Sequence, residues 1–303
     1  MDNVTRICKE RKDVIAIAFD FVQNLPLPFM PVQEMFCLRK LWYYVFNIHA
    51  IGRGTSVFYT YTEDEALRGP NEVCSCVLDF INQISEEVKI LYVFNDACAG
   101  QNRNHTLTRL LATLTMNGRF SVIHQFYPIR GHSFLPCDRT FSVIKRQVRR
   151  FDWIYSPNQY DDIIRSARKL KPPYQVKRLQ NNQVLNFKDW WPQYFKKTCK
   201  DIENKNLTFN ISKYRQLIYT QKMKDCVEAS QYIDGLNNGT FRLKKQNDVE
   251  LPTTAAYNGK LAINIKKLQD IAKVTHYIPD EYKLFYEDIL KYPSSTADSD
   301  KDE

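Results

Sequence analysis

The chain has 303 residues, 44% of them apolar and 13% aromatic, with 43 Lys and Arg against 34 Asp and Glu for a net charge of +9. That suffices for one large or two modest domains with a substantial core, and the basic balance mildly favours a polyanionic partner. No stretch reaches the ~18–20 apolar residues of a membrane span, and the polar start MDNVTRICKERKD is no signal peptide, so a nuclear or cytoplasmic protein is expected, not a secreted or membrane one.

Residues 14–21 (VIAIAFDF) read as a buried strand, followed by NLPLPFMP, whose prolines forbid helix and central strand alike. Residues 40–49 and 55–61 are aromatic and β-branched and flank Gly52-Arg53-Gly54, which predicts an antiparallel hairpin. Residues 71–87 place Val73, Val77, Leu78, Ile81 and Ile84 on one helical face, with Pro70 suited to the start. A strand follows at 88–95, a helix at 102–117 stopped by Gly118, a strand at 120–129 and a helix at 136–150.

The order β-β-β-α-β-α-β-α within residues 14–150 is that of an α/β, ribonuclease H-like mixed sheet, with right-handed parallel crossovers in its second half. The alternative is an α/β sandwich of different strand order. Beyond it the expected organisation is a catalytic core at 1–155, a linker or helical extension at 156–205, a small α+β domain at 206–292 and a disordered acidic tail at 293–303. The eight cysteines form no CxxC pair and no zinc-like spacing, so they read as free thiols of a reducing compartment.

Three acids carry the chemical reading. Asp96 ends the apolar run ILYVFN and opens the small-residue turn DACAGQN, which places a carboxylate at the carboxyl edge of a buried strand. Asp20 follows VIAIAF, where a buried acid is costly without a partner or a task. Asp138 falls in the first turn of the 136–150 helix. In the expected fold the three converge, and their repulsion is relieved by Mg²⁺ or Mn²⁺, in a two-metal site for phosphodiester chemistry on DNA. The competing readings are a turn former for Asp96 and a helix cap for Asp138.

Lesser candidates surround them. Glu72 suits a further metal-associated acid or a helix-dipole partner. His132, six residues before Asp138, suits a catalytic role at the rim of the site or a plain loop histidine. Gln101 and Asn102 suit a nucleotide edge or a helix cap. Lys145, Arg146, Arg149 and Arg150 share one helix face and suit a phosphate backbone or bare solvent. The Lys, Trp and Tyr mixture at 188–200 reads either as base-stacking surface or as core aromatics with surface lysines.

DFVQNLPLP, DACAGQNRN and GHSFLPCDRTFSVIKR together resemble a group of transposon-derived animal proteins, abundant in arthropods, treated as a domain of unknown function with a transposase-like, ribonuclease H-like core. The resemblance covers roughly residues 14–155 and, more loosely, the segment from LPTTAAY to EDIL. It implies that Asp20, Asp96 and Asp138 are the acidic motif positions and His132 the motif histidine. Ala97 departs from the family's DNCxGQN turn, where Asn is usual. The longer Cys- and His-containing N-terminal portion of that group has no counterpart before residue 14, so a DNA-targeting module is expected to be missing. The resulting expectation is a transposase-derived, metal-dependent nuclease acting on DNA, with a homodimer compatible with the sequence. Its alternative is an inactive, domesticated transposase fragment that binds nucleic acid or protein.

Overall fold

The computed structural model describes residues 1–128, 135–169, 172–245 and 248–296. In chain order, α1 (Asp2–Glu10) leads into β1 (Val14–Phe21), the short β2 (Leu25–Leu27), and the hairpin β3 (Leu41–Ile51) and β4 (Thr55–Thr62). Then come α2 (Pro70–Asn82), β5 (Ile90–Asn95), α3 (His105–Met116), β6 (Val122–Phe126), α4 (Pro136–Val148) and α5 (Pro157–Ser166). They are followed by β7 (Gln175–Arg178), α6 (Phe187–Tyr194), β8 (Gln216–Thr220), β9 (Cys226–Ser230) and β10 (Gly239–Arg242). The chain ends in β11 (Ile263–Asn264), α7 (Ile265–Val274), α8 (Asp280–Leu290) and β12 (Ser294–Ser295).

The architecture is α/β, built on one ten-stranded mixed sheet of order β10-β9-β8-β6-β5-β1-β3-β4-β7, with β2 paired to β3. β1 is central because it is apolar on both faces: Ile15, Ala16, Ile17, Ala18 and Phe19 are all fully buried. It pairs antiparallel with β3, Asp20 opposite Asn47, and parallel with β5, Phe19 opposite Asn95. β5 and β6 are also parallel, joined through α3. The odd residues of β1 meet Val73, Val77 and Ile81 of α2 and Leu107, Leu110 and Leu111 of α3. The even residues Ala16 and Ala18 meet Phe141 and Ile144 of α4, Ile163 and Ile164 of α5, and residues of α7 and α8. Strand alternation therefore points Asp20 into the layer of α4.

The sequence expectations for β1, the hairpin and the α2–α4 succession match these elements within a few residues. Two differences have clear causes. The polar start folds as α1, whose Cys8 is buried on the β1 side of the sheet. It crosses so near the hairpin turn that a Cβ on Gly52 (φ +82°) would stand 2.9 Å from Cys8 Cβ, so only glycine fits there. The second difference is at the C-terminal side. Strands within 206–292, expected in a small domain of their own, instead extend the main sheet: β8 adds antiparallel to β6, then β9 and β10 follow. β7, from the expected linker, adds parallel to β4 at the other edge. Each strand is four or five residues long, too short to bury a face of its own.

Candidate functional site

Asp20, Asp96 and Asp138 come from three elements that meet at the carboxyl edge of β1 and β5. Asp20 lies opposite Asn47, which is fully buried. Thr140 of α4 donates its hydroxyl to Asn47 Oδ1 at 3.1 Å, which ties the start of α4 down beside Asp20. Asp138 is the third residue of that helix, and its Oδ2 accepts from Leu135 N–H at 2.9 Å, closing the helix start. Asp96 follows β5 directly. Its Oδ1 accepts from Cys98 N–H at 3.2 Å, an Asx turn that bends the chain out of the strand.

One side chain joins two of the acids. Asn102 is completely buried. Its Nδ2 donates to Asp96 Oδ1 at 2.6 Å and reaches Asp20 Oδ1 at 3.5 Å, so those two oxygens lie within about 6 Å of each other. Asp20 Oδ1 also accepts from Phe21 N–H at 2.8 Å. Behind the turn, Asn95 donates to the carbonyls of Asp96 and Asn102, and Gln125 bonds Asn95 in turn. The turn thus rests on a buried polar network that fixes where Asp96 and Asn102 sit.

The electrostatics are those of acids without a counter-charge. Burial pushes the Asp20 carboxyl up to about 7, and the charges of Asp96 and Asp138 push the same way. The Phe21 N–H and the more distant Arg68 pull it back only in part. Asp138 is also raised, by burial and by the charge of Asp96. Among the described residues none of the three forms an ion pair, and Asp20 Oδ2, Asp96 Oδ2 and Asp138 Oδ1 accept no hydrogen bond. Asn102 Oδ1 is buried without a partner. Hard oxygen donors, mutual repulsion and free lone pairs fit a divalent cation. They do not form a finished metal site: among the described residues no three His, Cys, Asp or Glu side chains are grouped closely enough to hold a metal ion. The Asn102 amide occupies the space between Asp20 and Asp96, and Asp138 turns one oxygen to its own helix.

Other expected site residues fall elsewhere. Glu72 does not join the acids. It sits on α2, in the opposite layer, and closes that helix by accepting from Gly69 N–H at 2.9 Å, Leu67 N–H at 3.1 Å and the Tyr257 hydroxyl. It is a helix cap, as its first-turn position allows. Asn102, expected at a nucleotide edge, is buried among the carboxylates, while Gln101 stays half-buried in the same turn and its carbonyl accepts from Asn104. Lys145 and Arg146 are exposed on the last turn of α4 and Arg149 and Arg150 in the turn that follows it, since the helix ends at Val148, and Lys145 donates to Gln23 Oε1 at 3.0 Å. His132 lies outside the described residues. In the 188–200 segment Trp190 is buried and donates to the Glu250 carbonyl, and Trp191 lies under Arg109, so these aromatics are core. The role of Asn102 was not read from the sequence, although an amide in a tight strand-to-helix turn is a usable signal.

A family model described as "Domain of unknown function (DUF7869)" matches residues 38–228, more than half of the chain. Asp96, Asn102 and Asp138 lie inside that span, and Asp20 precedes it. No curated protein and no solved structure matches the chain. No helix among the described residues is long and apolar enough to cross a membrane.

Proposed function

The chain belongs to the DUF7869 family, and from there we propose that it is a transposase-derived, ribonuclease H-like protein performing divalent-metal-dependent phosphoryl transfer on DNA phosphodiesters. The order β4-β3-β1-β5-β6 supports this reading, with the first strand central, β3 antiparallel to it and β5 and β6 parallel. That is the arrangement expected of a ribonuclease H-like core. The observation that carries the proposal is the shared Asn102 amide, which holds Asp20 and Asp96 together while Asp138 stands within reach of their charges. A nuclear location follows from a DNA substrate.

Asp20, Asp96 and Asp138 would hold Mg²⁺ or Mn²⁺ through carboxylate oxygens. Such an ion supplies Lewis acidity and a lowered pKa for an attacking water or 3′-hydroxyl. The chain's own groups do the rest. Asn102 orients two of the carboxylates, and the Thr140–Asn47 bond sets the third against them. The exposed Lys145 and Arg146 in the last turn of α4, and Arg149 and Arg150 just past it, would offer positive charge to the phosphate backbone farther along the substrate.

The test is strand cleavage of a labelled DNA oligonucleotide in Mn²⁺. The wild type should cut, and Asp20→Asn, Asp96→Asn and Asp138→Asn should each lose at least about a hundredfold in rate. Equal activity in wild type and Asp96→Asn would end the proposal. The second reading, an inactive, domesticated transposase fragment that binds nucleic acid or protein, is favoured by one observation: the Asn102 amide already stands between Asp20 and Asp96. It predicts DNA binding with no cleavage and no response to metal.

A further inference from the structure

Beside the acids runs a groove of about 520 Å³ that the proposed chemistry does not use. Its floor is the sheet face carrying Tyr92 and Phe94 of β5 and His124 and Phe126 of β6, and Arg139 and Gln216 stand at its margins. We propose that this groove receives an unpaired nucleobase of the strand whose phosphate lies at Asp20, Asp96 and Asp138, so that the substrate is single-stranded or frayed DNA. The inference rests on the phosphoryl-transfer reading and names its substrate more closely.

Three observations carry it. The first is ring geometry. Tyr92 and His124 stack at 4.7 Å and 10°, Phe94 and Phe126 at 4.9 Å and 14°, and Tyr92 and Phe126 are parallel within 2°. Four rings on two strands therefore share one plane orientation. A planar guest extends such a stack at small cost, because the protein side is already ordered. Phe94 and Phe126 are buried at the base of the groove, and the half-buried Tyr92 and His124 keep the accessible part of the stack. The second observation is the polar complement. Gln216 Oε1 accepts from Asp234 N–H at 2.7 Å, which fixes the amide, while its Nε2 forms no hydrogen bond among the described residues. Asp2 and Asp234 also line the groove and can accept from a base amino group. A cavity with aromatic rings on its floor and polar groups at its margins is what a small planar ligand with hydrogen-bonding edges needs.

The third observation is continuity. Phe94 precedes Asp96 by two residues and Arg139 follows Asp138 directly, so part of the groove floor and one margin arise from two of the three elements that carry the acids. Asp2 and Asp234 disfavour a phosphate inside the groove. The exposed Arg139 follows Asp138 directly, so positive charge stands at the acid end of the groove. A base in the groove and its phosphate toward α4 is the orientation that meets both charges.

The experiment uses the full chain and two probes. Deoxyadenosine monophosphate and ribose 5-phosphate are compared by calorimetry, and a single-stranded oligonucleotide carrying 2-aminopurine is titrated by fluorescence. The nucleotide should bind at least about tenfold tighter than the sugar phosphate, and 2-aminopurine emission should fall severalfold on binding. Phe126→Leu should weaken oligonucleotide binding about tenfold, and should Phe126→Leu fail to fold, Gln216→Leu gives the same reading from the groove margin. Equal binding of the two small probes, or unchanged 2-aminopurine emission at saturation, overturns the proposal. So does a Phe126→Leu variant whose oligomeric state changes while nucleotide binding does not, since that assigns the groove to a second copy of the chain. Cleavage that depends on Asp96 with no 2-aminopurine response defeats the groove alone. Absence of metal-dependent cleavage defeats the phosphoryl-transfer reading, and the two small probes still judge the groove.

Discussion

Asp20 is the residue at which fold and function pull apart. A carboxylate placed in a run of fully buried residues, facing two more acids, has its pKa raised from 3.8 to about 7. The sign of the consequence follows from linkage. Below pH 4 both folded and unfolded chains hold the proton, and Asp20 has no net effect. As pH rises toward 7 the unfolded chain loses the proton first, so the unfolded state gains. The shift from 3.8 to about 7 corresponds to about 4 kcal/mol of stability lost above pH 7 without metal. Asp20→Asn removes the charge and keeps an acceptor for Phe21 N–H. In metal-free buffer it should match the wild type near pH 4 and exceed it by up to about 4 kcal/mol above pH 7, as read by urea unfolding across that range. A difference that does not vary with pH would contradict this account. The acid was legible in the sequence because VIAIAFDF sets it inside an apolar run. The Asn102 contact was not legible, because its partners come from β1 and β5, whose pairing is a tertiary fact.

At the scale of elements, α4 decides whether two acids or three share the site. Its start is held by the Thr140 hydroxyl, whose one proton is shared between the Cys137 carbonyl at 2.7 Å and Asn47 Oδ1 at 3.1 Å. Thr140→Val keeps the shape and leaves the buried Asn47 Oδ1 without this donor. The variant should lose about 1–3 kcal/mol in urea unfolding. Wild-type stability in Thr140→Val would mean that α4 is positioned by its apolar face alone. The elements around the acids were readable in advance because their patterns are strong: a β-branched run for β1, a glycine turn for the hairpin, and apolar residues at helical spacing for α2. α1 was missed because a short, highly charged start gives a weak pattern, and what orders it is contact with β1. Glu72 was open to two readings in sequence. The structure assigns it to the helix start because both oxygens already have donors there.

At the scale of the whole molecule, the sheet is wider than the elements in 14–150 require. Five strands carry the site, and β7 on one side and β8, β9 and β10 on the other extend it. Sequence could not assign these short strands to that sheet, since strand partners are set by tertiary register and not by local pattern. The extension places β8 beside β6, which closes one side of the aromatic groove with Gln216. The C-terminal helices close the layer of α4 and α5, and the buried Lys267–Glu63 pair at 2.8 Å ties α7 back to the end of the hairpin. The half-buried acids thus sit at the strand edge on the α4 side, with the groove over β5 and β6 beside them. The central claim is that Asp20, Asp96 and Asp138 form one divalent-cation site. Thermal unfolding of the wild type and of Asp96→Ala, with and without Mn²⁺ at about a hundred times its dissociation constant, tests it most directly. The account predicts a wild-type gain of about 3 kcal/mol, seen as a rise of several degrees in Tm, and almost none for Asp96→Ala. An equal Mn²⁺ response in both proteins, or no response in the wild type, would contradict it.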